Sequence, residues 1–269
     1  MKLGISTYTF TWAIGVPGYP KPDNPMDVIA LLKQAYEYGV KVVQICDNIP
    51  LHTLSREELT AIRDLSAQLG IQLEIGTRGV EPEHLLKYLE ICTFLGSNFL
   101  RTILQKNNAY VSISEAAELL REVMPEFEKA RVQVAVENHE RHKVAELVSL
   151  VEEINSPWLG ICMDTVNSFG ALEGLYYVID KLAPYTVNLH MKDFKIQRLN
   201  HMMGFEISGT PAGKGQLNLD YAISEIRKHG KDPNIILELW TPYAGDINST
   251  VQKEKDWADQ SIEYLKNYI

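Results

Sequence analysis

The chain alternates short apolar runs with segments of helical periodicity, and this alternation limits the possible folds more than any other feature. The apolar runs, interpreted as strands, cover residues 2–6, 41–46, 71–76, 98–104, 132–137, 159–164, 186–191 and 235–240. The segments with helical spacing cover residues 26–39, 55–70, 81–96, 112–130, 143–154, 171–183, 219–230 and 249–269. Strict alternation favours a parallel sheet, and eight repeats favour closing that sheet. The sequence predicts an α/β fold, a single (β/α)8 TIM barrel domain over residues 1–269, with its active site at the C-terminal rim of the strands.

Length and composition agree with a barrel enzyme of the cytoplasm. The chain has 269 residues, close to the roughly 250 of a typical TIM barrel. It shows neither a basic leader nor an apolar run of about 18 residues, so we expect no membrane association. Cys46, Cys92 and Cys162 form no CxxC pair and are expected to be buried apolar residues. The net charge of −9 disfavours nucleic acid as a partner, because a phosphate backbone is bound by clustered Lys and Arg.

Two connections are longer than the few residues usual between elements of α/β units. One runs from Tyr8 to Pro25 and the other from Phe194 to about Gln216. Both leave the strands at the predicted active-site rim, where long loops commonly form lids or pocket walls. We therefore predict that Tyr8 and Trp12 contact the substrate; a packed surface loop is the alternative.

Four potential metal ligands stand at or near the ends of predicted strands: Glu137, Asp164, His190 and Glu238. Their spacings are 27, 26 and 48 residues, and the first two match one strand-helix repeat. Positions one repeat apart return to the same rim of a parallel barrel, so the four side chains are expected to converge. Three carboxylates and one imidazole suit Mn²⁺, Mg²⁺ or Co²⁺, with Zn²⁺ or Fe²⁺ less favoured. The alternative is that each is an ordinary polar residue at a strand end.

Several segments resemble the xylose isomerase-like TIM-barrel superfamily over essentially the whole chain. These are GIST at 4–7, VENH at 136–139, MDTVN at 163–167, HMKD at 190–193, the segment 209–220 and ILELW at 236–240. The superfamily includes sugar isomerases, ketose 3-epimerases, inosose dehydratases and apurinic endonucleases. The resemblance implies that Glu137, Asp164, His190 and Glu238 bind one divalent metal ion, and that the two glutamates also move protons at the substrate carbons. It also implies self-association into a dimer or tetramer.

Departures from these relatives narrow the choice of function. A histidine is expected three residues after the metal-binding aspartate of ketose 3-epimerases, and this chain has Asn167 there, which we predict to contact the substrate. The epimerases' acidic and basic substrate contacts are replaced by Lys143 and Ile196. The extra histidines of the endonucleases are missing after the second and third strands, where Asp47 and Arg78 occur instead. This argues against DNA repair.

Positive charge near the predicted rim suggests an acidic substrate. Arg101 and Lys192 are predicted substrate contacts, with Arg78 nearby, because guanidinium groups bind carboxylates through two parallel hydrogen bonds. The alternative is internal pairing: Arg101 with Glu74, Lys192 with Asp193 or a metal-binding carboxylate, and Arg78 pointing outward.

His139, beside Glu137, is a candidate proton donor. GTPAGKG at 209–215 lacks the spacing and the Ser or Thr of a phosphate-binding loop, so no nucleotide site is predicted.

Three functions fit these residues. The leading prediction is a divalent-metal isomerase or epimerase acting on a small keto-sugar or sugar acid through an enediolate, with Glu137, Glu238 and His139 as catalytic residues. The second is a lyase that reaches the same intermediate by losing carbon dioxide or water, such as a 3-oxo sugar-acid decarboxylase or an inosose-type dehydratase. The third is a sugar-binding barrel without catalytic activity.

Overall fold

A computed structural model describes residues 1–269 and contains a closed barrel of eight parallel strands. Each strand pairs with the next in the chain, and the last pairs with the first. The strands are β1 Leu3–Ser6, β2 Val42–Ile45, β3 Gln72–Gly76, β4 Phe99–Thr102, β5 Gln133–Glu137, β6 Leu159–Asp164, β7 Thr186–Met191 and β8 Asn234–Leu237. The predicted single (β/α)8 TIM barrel is confirmed.

Eight long helices alternate with the strands, as the helical periodicity predicts. They are α1 Val28–Tyr38, α2 Arg56–Leu69, α3 Pro82–Leu95, α4 Ile113–Ala130, α5 Val144–Ile154, α6 Leu175–Leu182, α7 Leu219–Lys228 and α8 Ile247–Leu265. Local sequence signals fix their ends. Ser55 and Glu58 form a reciprocal capping box at the start of α2, and Gly70 ends that helix in the left-handed conformation, with φ of +64°.

The hydrophobic core lies between the outer surface of the barrel and the helices that cover it. Leu31, Leu85, Leu120 and Leu147 are fully buried on the inner faces of α1, α3, α4 and α5. Apolar side chains of the strands complete one large buried cluster. This packing fixes the register of the strands and therefore the height at which each strand-end residue stands.

The two long connections, and the chain after β4, contain structure that apolar periodicity does not predict. Residues Asp193–Arg198 and Phe205–Thr210 form an antiparallel hairpin within the segment expected to be a loop. A smaller hairpin pairs Gln105–Lys106 with Ala109–Tyr110, and a short helix covers Thr11–Ile14. The smaller hairpin turns through Asn107 and Asn108, both with positive φ, which Asn tolerates better than most residues.

No helix is both long enough and apolar enough to cross a membrane. Cys46, Cys92 and Cys162 are free and buried, as expected from their spacing.

Candidate active site

The four predicted metal ligands meet at the C-terminal rim of the barrel. Glu137 and Asp164 are the last residues of β5 and β6, His190 is the penultimate residue of β7, and Glu238 follows the end of β8 directly. All four side chains are buried. Asp164 and His190 stand opposite each other in register across the β6–β7 pair.

The two ring nitrogens of His190 have different surroundings. Nε2 lies 2.7 Å from the Oε1 atom of Gln44, so Nε2 carries the proton and donates it to the amide oxygen. Nδ1 has no hydrogen-bond partner although it is buried. It lies 3.4 Å from Glu238 Oε1 and 3.5 Å from Glu137 Oε2. An imidazole lone pair held between two carboxylates is arranged to bind a cation.

The positions of the surrounding donor atoms also fit a metal ion. Asp164, His190 and Glu238 each offer a ligand atom within 4.8 Å of the others, and Glu137 and His190 form a second such group with Cys162. Oxygen-rich sets with one imidazole suit hard or borderline divalent cations. The residues predicted to hold the metal therefore converge, and their role as ligands stays a prediction.

A layer of polar side chains supports the site from inside the barrel. The Glu74 carboxylate is fully buried and accepts hydrogen bonds from Gln44 at 3.1 Å, Asn188 at 2.8 Å and Asn234 at 2.7 Å. Burial raises the pKa of Glu74 above its ordinary value, although these donors oppose the effect. Glu74 makes no ion pair with Arg101, so that alternative is wrong.

Lys192 neutralises two of the predicted ligands. Its Nζ atom lies 2.6 Å from Asp164 Oδ2 and 2.7 Å from Glu238 Oε2. Burial alone would lower the pKa of Lys192, but the two carboxylates outweigh it and hold the pKa above its ordinary value. Of the two partners considered from the sequence, Lys192 therefore pairs with carboxylates predicted to bind the metal and not with Asp193.

Arg101 joins Glu137 to a residue that the sequence analysis did not select. Its Nε atom donates to Glu137 Oε2, and its Nη1 atom donates to Asp47 Oδ1 at 2.8 Å and to the Thr77 carbonyl at 3.0 Å. Burial would raise the pKa of Glu137, but Arg101, His190 and Lys192 outweigh it and keep the pKa well below its usual range. Glu137 is therefore held ionised.

Asp47 is the missed residue, and it connects three side chains of the rim. It accepts hydrogen bonds from Arg101, from Arg78 Nε at 3.1 Å and from the Tyr8 hydroxyl at 3.1 Å. Burial would raise the pKa of Asp47, but Arg101 and Arg78 outweigh it and lower the pKa. Its sequence signal was the same as for the four ligands, since Asp47 directly follows an apolar strand. The alternative in which Arg78 points outward is wrong, because Arg78 pairs with Asp47 and lines a cavity at the rim.

A cavity of about 330 Å³ opens above these groups. All five residues predicted to contact substrate line it: Tyr8, Trp12, Arg101, Asn167 and Lys192. The three predicted catalytic residues, Glu137, His139 and Glu238, line it as well. Arg78 lines this cavity and also a neighbouring polar cavity of about 540 Å³. A small polar molecule bound here would meet Glu137, Glu238 and all three cations.

Individual contacts in the cavity wall fix the remaining predicted site residues. Asn167 Nδ2 donates to Glu137 Oε1 at 2.6 Å. The Trp12 indole donates to the Thr241 carbonyl at 2.7 Å, so its ring is held as a rigid wall. His139 Nδ1 lies 2.6 Å from the Tyr110 hydroxyl of the smaller hairpin. Burial lowers the pKa of His139, with Glu137 opposing the effect, which favours a neutral imidazole.

The glycine-rich segment 209–215 binds an internal carboxylate. The backbone N–H groups of Gly213 and Gly215 both donate to Asp193 Oδ2 at 2.9 Å, and that of Leu217 donates to Oδ1 at 3.0 Å. These donors are already used by the protein. The segment anchors the connection after β7 to the rim.

The chain belongs to the xylose isomerase-like TIM barrel family, whose model matches residues 19–268. One relative is a 3-oxo-isoapionate decarboxylase from Pectobacterium atrosepticum, 38% identical over 265 residues that cover 98% of this chain and 95% of the relative.

Solved structures share the fold at low sequence identity. A D-psicose 3-epimerase from Clostridium cellulolyticum H10, solved with D-tagatose, superposes with a TM-score of 0.72 at 14% identity, covering 99% of this chain and 97% of that one. A xylose isomerase-like protein from Mycobacterium smegmatis, in complex with magnesium, gives a TM-score of 0.68 at 15% identity, with 98% and 97% coverage.

Proposed function

We propose that this protein is a divalent-metal-dependent decarboxylase of a 3-oxo sugar acid. The observation that carries the proposal is the 38% identity, over nearly the full length of both chains, to a 3-oxo-isoapionate decarboxylase. This reverses the order of the sequence-based predictions, in which isomerisation or epimerisation came before decarboxylation. The epimerases among the solved structures share 14% identity or less, a level at which likeness concerns the fold.

The charge of the site supports an anionic substrate. Four carboxylates surround the cavity, Asp47, Glu137, Asp164 and Glu238, and three cations pair with them, Arg78, Arg101 and Lys192. The formal charges of these seven groups add up to −1. A divalent ion changes the sum to +1, and one substrate carboxylate would then neutralise the site. A neutral ketose would leave buried positive charge without a partner, which is costly in a low-dielectric site.

The reaction needs one bond broken and one proton delivered. The bond between C1 and C2 of the 3-oxo acid breaks, carbon dioxide leaves, and the electron pair moves into an enolate whose negative charge rests on the C3 oxygen. C2 then takes a proton and the ketone reforms. When bound, a divalent ion would supply positive charge that stabilises this oxygen.

The side chains around the cavity provide for the remaining steps. Glu137, Asp164, His190 and Glu238 would hold the ion. We assign delivery of the proton to C2 to the imidazolium form of His139, which takes its proton from solvent and is left as a neutral imidazole. The contact between Nδ1 and the Tyr110 hydroxyl leaves Nε2 without a protein partner, so Nε2 is the nitrogen that delivers the proton. The lowered pKa of His139 makes this imidazolium a stronger acid. Glu137, kept ionised by Arg101, stays unprotonated as a ligand. Trp12 and Tyr8 would close the wall against water.

The test uses purified protein loaded with Mn²⁺, and in parallel with Mg²⁺ and Co²⁺. It is incubated in deuterated water with 3-oxo-isoapionate and with a panel of neutral ketoses. We expect carbon dioxide release from the acid, with deuterium incorporated at the product carbon that was C2 of the acid, next to the carbonyl group. Deuterium exchange or epimerisation of ketoses, without carbon dioxide from any 3-oxo acid, would instead establish the isomerase or epimerase function.

Two variants separate an enzyme from a sugar-binding barrel. Glu137→Gln and Glu238→Gln each remove one charged ligand, so both should lose metal content and turnover together. Metal content is measured after chelation and reloading. Unchanged metal content, with no turnover of any compound by the wild-type protein, would support a noncatalytic binding role.

A further inference from the structure

The three cations of the rim differ in how many of their hydrogen-bond donors the protein already uses. Lys192, with its side chain 8% exposed, is shared between Asp164 and Glu238. Arg101, with its side chain 3% exposed, donates from Nε to Glu137 and from Nη1 to Asp47 and to the Thr77 carbonyl. Neither can turn toward a ligand without leaving a buried carboxylate unpaired, which is strongly unfavourable.

Arg78 is the exception. Its side chain is 33% exposed, and its only hydrogen bond in the protein runs from Nε to Asp47. Both terminal NH₂ groups therefore have no protein partner. Arg78 also lines both the inner cavity with the metal ligands and the polar cavity beside it. Two parallel N–H donors in one plane match the two oxygens of a carboxylate.

We propose that Arg78 binds the carboxylate of the substrate and thereby selects sugar acids over neutral ketoses. This inference rests on the proposed decarboxylase function and names the residue that recognises the acid. The ligand class is a small hydroxylated monocarboxylate whose carbonyl end reaches the metal ligands while its carboxylate lies toward the neighbouring cavity.

Asp47 is the positioning residue for this interaction. Its two oxygens hold Arg78 and Arg101 at the same time, and its Oδ2 also accepts the Tyr8 hydroxyl. The Asp47–Arg78 bond uses Nε alone, so it fixes the plane of the guanidinium without occupying its terminal donors. Asp47 and Glu137 together offset the charges of Arg78 and Arg101, so the attraction for one anion comes from the formal charge of +1 that the site has with a divalent ion bound.

The chemistry predicts which kinetic constant depends on Arg78. The carboxylate loses its negative charge as carbon dioxide forms, so its bond to Arg78 is stronger before the transition state than in it. An interaction of this kind lowers KM and does not raise kcat. Removing Arg78 should therefore raise KM for the acid by about 10- to 100-fold, the range expected for a charge-assisted pair, and change kcat by less than about threefold.

The experiment compares Arg78→Gln with Arg63→Gln, a matched change at an exposed arginine of α2 that pairs with Asp64. Turnover of 3-oxo-isoapionate is followed for both variants. Binding of erythronate, a four-carbon sugar acid without the oxo group, and of erythrulose, the neutral ketose of the same length, is measured by calorimetry on Mn²⁺-loaded protein. We expect Arg78→Gln to weaken erythronate binding by about 10- to 100-fold and erythrulose binding by less than threefold. Arg63→Gln should change neither.

Three outcomes would overturn the inference. One is a KM and an erythronate affinity for Arg78→Gln that stay within twofold of the wild-type values. Another is an equal loss for erythronate and erythrulose, which would mean a general disruption of the pocket. The third is wild-type protein that binds no erythronate. A different result would separate the two proposals. If the wild-type protein releases no carbon dioxide but Arg78→Gln still loses affinity for erythronate and not for erythrulose, the decarboxylase proposal fails while Arg78 remains the acid-binding residue.

Discussion

The Nε2 atom of His190 lies 2.7 Å from the Oε1 atom of Gln44, one layer below the rim of the barrel. Gln44 also donates to Glu74 at 3.1 Å, so its amide is oriented with the oxygen toward the histidine. This contact fixes the tautomer of His190 and directs the Nδ1 lone pair at Glu137 and Glu238. A neutral amide in the interior thus prepares a nitrogen donor for a cation.

Gln44→Ala should weaken metal binding without removing a ligand. Loss of the acceptor at Nε2 frees the ring to rotate and to change tautomer, and changes of this kind typically reduce metal affinity by about 10- to 100-fold. Titration of chelated protein with Mn²⁺, followed by calorimetry, measures the change. Gln72→Ala is the matched control, because Gln72 begins β3 at the opposite end of the barrel, where it contacts Lys2. Equal affinities for wild-type protein and Gln44→Ala would contradict the role of Gln44.

Arg101→Met should destabilise the metal-free protein by about 3–5 kcal/mol, because Glu137 and Asp47 would lose a buried cation. Urea denaturation gives the free energy of unfolding. Arg63→Met, at an exposed pair with Asp64, should cost less than about 1 kcal/mol. Adding Glu137→Gln to Arg101→Met should restore part of the loss; a double variant no more stable than Arg101→Met would contradict the pairing.

Strand-end residues were predictable from sequence because the barrel repeats. Once β5, β6 and β7 are recognised, parallel register brings Glu137, Asp164 and His190 to one rim. The four predicted ligands and the cavity residues could be selected without knowledge of side-chain contacts. The hairpin of residues 193–210 was missed because its strands are largely exposed and lack the alternation that burial imposes.

The ion-pair partners of Arg101 were not predictable, since they depend on height within the barrel. Arg101 is in register with Gly76, two residues closer to the rim than Glu74. Its side chain therefore reaches Asp47 and Glu137 and not Glu74. Asp47 was named only as a departure from the endonucleases and was not selected as a site residue, although it directly follows an apolar run.

Gly215→Ala should detach the loop that holds Asp193. A methyl group at this position would overlap Asp193 Oδ1 and the carbonyl oxygen of Phe194, both of which are fixed by backbone contacts. We expect a loss of about 1–3 kcal/mol in the free energy of unfolding, measured with urea. Gly174→Ala is the control, because a methyl group there meets no atom within 4 Å and should change stability by less than about 0.5 kcal/mol. Equal stabilities of the two variants would show that the loop adapts.

Glu254 of α8 should make stability depend on pH. Its buried carboxylate accepts the backbone N–H groups of Trp12 at 2.9 Å and Ala13 at 3.0 Å and has no cationic partner. Burial raises its pKa from 4.5 to about 7, although the N–H donors oppose the shift. Between pH 4.5 and about 7 the folded protein therefore keeps a proton on Glu254 that the unfolded chain has lost. The contribution of this proton to the free energy of unfolding is present in full below pH 4.5 and declines as the pH rises to about 7.

Comparison with Glu254→Gln isolates that contribution from the other carboxylates. The free energy of unfolding of the wild-type protein, minus that of the variant, should fall by about 3 kcal/mol as the pH rises from 4.5 to 7 and stay constant above that range. Urea denaturation at half-unit steps of pH measures it. Because Glu254 also anchors the segment that carries Trp12, the variant should bind erythronate more weakly at every pH, without a change in metal content. A difference that is flat across the range, or that rises with pH, would show that burial does not set the protonation of Glu254.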